Sequence, residues 1–154
     1  MKNQTNLLWL VSCLLSPFLC SLTAEAQTCS IDNIVGVNFG TYDVFNSNPT
    51  TSIGGITYQC TGAATVTIDL SRGSANSYTP RHMVKGSDTL NYNLYLDSSY
   101  NTIWGDGTGG SSRYGPVTPS SGTSINVPIF GSIPPRQNPR VGSYTDTITV
   151  TVSF

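Results

Sequence analysis

Charged side chains are scarce in this 154-residue sequence, at 10% of residues, against roughly 25% in an average soluble protein. Lysine and glutamate together number three, at Lys2, Lys85 and Glu25, so side chains that favour helices are rare. Threonine, serine, valine and tyrosine are plentiful instead, which is typical of an extracellular all-β domain. The composition excludes a helical bundle, and the length indicates one domain at most.

Strong net charge and histidine clusters are also missing. Seven basic and eight acidic residues give a net charge of −1, which provides no surface for nucleic acid or for an anionic membrane. His82 is the single histidine, and no G-x-S-x-G turn accompanies it, so a serine hydrolase triad is not indicated. Asp97 and Asp106 lack the dense D-x-D-x-D spacing of calcium loops. We expect no catalytic residue, no metal site and no cofactor.

The first 26 residues are predicted to be a signal peptide. Met1 and Lys2 form a short positive start, Leu7–Leu22 is an apolar stretch interrupted by small residues and a proline, and Ala24–Ala26 is an A-x-A cleavage pattern. The apolar stretch is too short and too interrupted for a good membrane span. Cleavage after residue 26 leaves residues 27–154 as a single exported domain.

Two cysteines remain after this cleavage, Cys29 and Cys60. In an oxidising compartment an isolated pair is most simply a disulfide, which here closes a loop of about 30 residues. The loop-entropy model assigns such a bond roughly 3–4 kcal/mol of stability against the unfolded chain.

Alternating apolar and polar residues predict strands along the rest of the chain. Period-two alternation indicates one buried and one wet face, as in antiparallel sandwiches. About seven strands in this length fit an immunoglobulin-like β-sandwich. The apolar positions lie in 31–39, 56–60, 66–70, 90–96, 125–129 and 148–154, and a long glycine-rich loop is predicted at 105–116.

The last predicted strand is the most regular. Ile148, Val150, Val152 and Phe154 alternate with threonine and serine, and the sequence stops there. If this strand lies at an edge, its backbone groups need a partner. That partner is either another strand of the same chain or a strand lent by a second protein, as in donor-strand complementation. The residues alone leave both alternatives open.

Four stretches together resemble the spore coat protein U domain, the subunit domain of archaic (Csu-type) chaperone–usher pili. The similarity runs in order along nearly all of residues 29–154, and the two cysteines fall where that family places them. The stretches are Val37–Asp43 (VNFGTYD), Leu90–Tyr95 (LNYNLY), Thr102–Gly110 (TIWGDGTGG) and Gly142–Val152 (GSYTDTITVTV).

The resemblance implies an incomplete immunoglobulin-like sandwich that lacks its final strand. In such families a periplasmic chaperone lends a strand to the gap, and at the outer-membrane usher the next subunit replaces it. Ile148, Val150, Val152 and Phe154 would then border the acceptor groove. The resemblance also implies export through the periplasm to the cell surface and contacts with other pilus subunits, while the receptor is not indicated.

One departure from the family pattern concerns the donor segment. Shaft subunits carry an alternating segment ahead of the first cysteine, whereas only Gln27 and Thr28 separate the predicted cleavage site from Cys29. We therefore expect a chain that accepts a strand without donating one, as a tip or minor subunit. The alternatives are a non-polymerising coat-like protein, a carbohydrate- or surface-binding module that uses its tyrosines and the 105–116 loop, and a secreted hydrolase.

Overall fold

A computed structural model describes residues 27–154, and these residues form eight β-strands and no helix. The predicted all-β sandwich is therefore confirmed, whereas the predicted signal peptide lies outside the described residues. The strands are β1 (Thr28–Val35), β2 (Thr50–Thr61), β3 (Val66–Leu70), β4 (Arg81–Lys85), β5 (Asp88–Tyr95), β6 (Tyr114–Val117), β7 (Ser124–Ile133) and β8 (Val150–Ser153).

The strands make two antiparallel sheets. Five strands pair in the order β1-β2-β7-β5-β4, and three pair in the order β6-β3-β8. The inward-facing side chains of both sheets enclose one core, and in β3 every second residue is fully buried in it. The fully buried members of that core include Ile56, Tyr58, Val66, Ile68 and Trp104.

The predicted disulfide joins the first two strands. Cys29 and Cys60 are direct partners in the β1–β2 register, and their sulfur atoms are bonded. Cys60 is fully buried in the core, so the bond fastens the edge strand β1 to the interior of the sandwich.

Strand boundaries differ from the sequence prediction in three places. The apolar stretch 31–39 is not one strand, because β1 ends at Val35 and residues 36–43 belong to no strand. The strands β4 and β6 were not predicted, and β6 begins inside the expected 105–116 loop. β8 is shorter than the 148–154 pattern. Its alternation is nevertheless confirmed, since Val150 and Val152 are half-buried and the residues between them are exposed.

A buried arginine links segments from both sheets. Arg81 is fully buried, and its guanidinium donates to the Ser71 carbonyl at 2.8 and 3.0 Å, to the Trp104 carbonyl at 2.7 Å and to Asn93 Oδ1 at 2.8 Å. The guanidinium also lies 4.8 Å from the centre of the Tyr78 ring. Burial lowers the pKa of Arg81, but an arginine remains charged at neutral pH.

Candidate functional site

A long open groove runs between the two sheets, with a volume of about 1010 Å³. One side, here called the first wall, is formed by residues 34–44, which are the last two residues of β1 and the stretch after it. The opposite side, the second wall, is formed by residues 139–150, which lead into β8. The groove lies beside the outer edge of β8, the last strand of the small sheet.

The floor of the groove is apolar. It is made by inward-facing side chains of the core, which no described strand covers on this side. These floor residues are Leu70, Met83, Leu90, Tyr92, Leu94, Ile129 and Ile133.

The second wall offers both apolar side chains and backbone groups. Ile148 and Val150 point their side chains at the groove, with the exposed Thr149 between them. The Thr149 carbonyl faces β3 instead, where it accepts from Ser71 N at 3.0 Å. Because strand backbones alternate direction with each residue, Val150 and Val152 of β8 direct their N–H and C=O groups to the open edge. β8 is the edge strand of its sheet, so no described strand meets these groups.

The first wall lies close against the large sheet because glycine occupies a key position. A β-carbon on Gly131 of β7 would come within 2.5 Å of Val37 and 2.8 Å of Phe39, so a larger residue would push this wall away. Nearer β1, Ile34 and Val35 line the groove and remain 48% and 53% exposed. This wall therefore presents apolar side chains that have no cover.

Tyrosine hydroxyls connect the walls to the body of the domain. The Tyr42 hydroxyl donates to the Pro134 carbonyl at 3.0 Å and accepts from Gln137 N at 2.8 Å, beside the start of the second wall. The Tyr92 hydroxyl donates to Asp146 Oδ2 at 2.7 Å. Burial, followed by the bond to Asp146, raises the pKa of Tyr92, so this phenol stays a donor at neutral pH.

Only two of the four residues predicted to border an acceptor groove line the groove of the structure. Ile148 and Val150 line the groove, and Val152 packs against the core further along β8. Phe154 is 59% exposed and does not line the groove. The sequence prediction did not identify the first wall, although Val37–Asp43 was one of the stretches that carried the family resemblance.

The histidine and the two aspartates considered from sequence each lie in a strand or a turn of the fold. His82 is a half-buried strand residue opposite Asn91. Asp97 accepts backbone N–H groups from its own turn, and the one from Thr102 is the main cause of its lowered pKa. Asp106 accepts from Thr108 in the same way, which lowers its pKa. Within residues 27–154 no three His, Cys, Asp or Glu side chains are grouped to hold a metal ion.

The described part of the chain also contains no helix long and apolar enough to cross a membrane.

Comparison with known proteins identifies the family. The model of the Spore Coat Protein U domain matches residues 15–151, which is most of the chain. The chain belongs to the Spore Coat Protein U domain family. Protein U of Myxococcus xanthus is 30% identical over 144 residues, which cover 82% of this chain and 77% of Protein U.

This Spore Coat Protein U domain is also similar to a chain in the crystal structure of the CsuC-CsuE chaperone–tip adhesion subunit pre-assembly complex from archaic chaperone–usher Csu pili of Acinetobacter baumannii. The TM-score is 0.58 with 28% sequence identity. The match covers 84% of this chain but only 40% of the solved one.

Proposed function

We propose that this domain is a structural subunit of a surface fibre of the chaperone–usher type, completed by a strand from another protein. The observation that carries the proposal is the open groove, with an apolar floor and the unpaired edge of β8 on one side. A strand placed there would gain main-chain hydrogen bonds from β8 and would bury alternate apolar side chains against the floor. Without it, the domain exposes an apolar edge that favours aggregation.

The partners follow from the relatives. The similar structure comes from a complex whose title names a chaperone and a tip adhesion subunit, which supports a periplasmic chaperone as the first donor and other pilus subunits as later contacts. An outer-membrane usher and export through the periplasm, with residues 1–26 as signal peptide, belong to the same proposal. We assign the chain a tip or minor position, and a non-enzymatic role is supported by the family.

The test is an immunoblot of material sheared from intact cells of the organism that makes the protein, run in SDS with and without boiling. Donor-strand contacts that resist cold SDS would leave this chain joined to a single heavier species, which boiling would release. A ladder that collapses to monomer on boiling would overturn the tip position, because the chain would then polymerise. Monomer in both lanes would overturn the fibre proposal and favour a coat or binding module.

A further inference from the structure

One connection crosses the groove at its middle. Phe39 of the first wall packs edge-on against the Tyr92 ring, with centroids 5.9 Å apart and an interplanar angle of 69°. On the other side, the Tyr92 hydroxyl donates to Asp146 of the second wall at 2.7 Å. A single floor residue therefore touches both walls, and we call Phe39, Tyr92 and Asp146 the cross-groove strut.

Asp146 is itself held firmly. Its Oδ1 atom accepts from Ser74 N at 2.7 Å, from Ser74 Oγ at 2.8 Å and from Thr147 N at 2.8 Å. Gly73 has a φ of +66°, and a β-carbon there would overlap the carboxylate. The loop before Ser74 is thus shaped to receive this carboxylate, and with Tyr92 it leaves neither oxygen without a donor.

Other attachments hold the second wall to the body on both sides of Asp146. Arg140 pairs with Asp88 and the Val141 carbonyl accepts from Lys85 Nζ. Thr145 exchanges backbone hydrogen bonds with Val84 at 2.8 and 3.2 Å, and Thr149 bonds to Ser71 through its carbonyl and its N–H. Residues 146–149 belong to no strand. Asp146 lies between these attachments, and the Tyr92 hydroxyl is the contact that ties its carboxylate to the floor residue that also meets Phe39.

We infer that the cross-groove strut sets the width of the groove at its middle, and that Tyr92 and Asp146 are therefore positioning residues for the incoming strand. This inference rests on the proposed strand-accepting function. The main chain of a strand pairs only when its neighbour lies about 4.8 Å away, so a wall that moves by 1 Å loses hydrogen bonds. The effect is local, because β8 beyond Val150 is held separately by its pairing with β3.

The test uses Tyr92→Phe, which keeps the ring against Phe39 and removes only the bond to Asp146. The probe is an isotope-labelled synthetic peptide of about eleven residues, the length of the first wall, with valine alternating with threonine. Hydrogen exchange of the peptide amides is measured by NMR in the complex. The matched control is Tyr144→Phe. The Tyr144 hydroxyl donates to the Arg140 carbonyl at 2.8 Å, so this bond lies within the second wall and does not join it to the floor.

In Tyr92→Phe we expect roughly tenfold faster exchange for peptide amides opposite residues 139–146, since a hydrogen bond to a charged group contributes at least that factor. Amides that pair with Val150 and Val152 should keep their protection, and Tyr144→Phe should match the wild type throughout. In Asp146→Asn the side-chain amide can still donate to the Tyr92 phenol oxygen. Peptide-amide exchange in this variant should therefore be faster than in Tyr144→Phe and slower than in Tyr92→Phe.

Two results would overturn the inference. Equal acceleration of all peptide amides in Tyr92→Phe would mean that the substitution loosens the whole domain. Unchanged exchange would mean that the wall is held without the strut. If the wild-type domain does not bind the peptide at all, the proposed function fails and the inference fails with it.

Discussion

Replacing Arg81 by methionine should destabilise the domain severely. The Ser71 and Trp104 carbonyls would lose their side-chain donor, and Asn93 Oδ1 would keep only the N–H of Leu94. Each buried group left without a partner costs about 1–3 kcal/mol, and the apolar methionine regains about 1.5–3 kcal/mol by its own burial. The expected net loss is about 2–4 kcal/mol, a large share of the 5–15 kcal/mol typical of a domain this size.

The assay is urea unfolding with the disulfide intact, followed by the fluorescence of Trp104, which is the single tryptophan of residues 27–154 and fully buried. Arg81→Lys should give an intermediate loss, because one ammonium cannot replace a planar fork that serves three acceptors. Arg140→Met is the matched control. Arg140 is 83% exposed and pairs with Asp88 at 3.7 Å, so its loss should cost less than about 1 kcal/mol.

A loss below about 1 kcal/mol in Arg81→Met would refute this reasoning, since the acceptors would then have found water or other donors. The result also bears on the groove. Ser71 binds Arg81 through its carbonyl and binds Thr149 of the second wall through its N–H and hydroxyl. A displaced Ser71 would therefore shift the wall that faces the incoming strand.

Three further predictions concern the groove, the disulfide and the tyrosines. Val150→Asp should abolish recovery of the folded protein, whereas Ser153→Asp, on the exposed face of the same strand and opposite Thr67, should not. Equal yields of the two variants would contradict the groove assignment. Cys60→Ser should lower the free energy of unfolding by roughly 3–4 kcal/mol in urea titrations, and an unchanged midpoint would count against the bond's contribution. Burial raises the pKa of Tyr58 and Tyr92 above the ordinary 10.0. Above about pH 10 the unfolded chain loses protons that the folded tyrosines keep, so the free energy of unfolding should fall there and not below it. A free energy of unfolding that stays constant through this alkaline range would contradict the prediction.

The sequence predicted those strands whose alternation is clean. In β3 and β5 the apolar positions are buried as expected, because hydrophobic periodicity reports directly which face meets the core. β4 carries Arg81, His82 and Lys85 in five residues, and β6 contains a Gly-Pro pair, so neither shows that pattern. β4 is a strand because it pairs with β5, and β6 because it pairs with β3. Such pairing cannot be predicted from the local sequence of either strand.

The site was only partly predictable for a related reason. Val150 could be assigned to a strand from its own alternation, although not to an edge. Residues 36–43 of the first wall are an apolar stretch outside any strand, so sequence alone joins them to β1. Tyr92 and Asp146 are 54 residues apart, and Arg81 binds mostly backbone carbonyls. Contacts of this kind depend on how the sheets pack, and a charged residue in a strand is ordinarily expected at the surface.

The apolar residues that line the groove conflict with the stability of the domain when the groove is empty. Under the proposed function, Ile34, Val35 and Val150 are apolar because they receive a strand. Before that strand binds, they expose apolar surface that favours aggregation. The fixed parts of the fold offset this, since the disulfide holds β1 at one wall and the Arg81 and Asp146 networks hold the other. A domain built this way can keep an empty groove open without closing it on itself, which the proposed exchange of one bound strand for another would require.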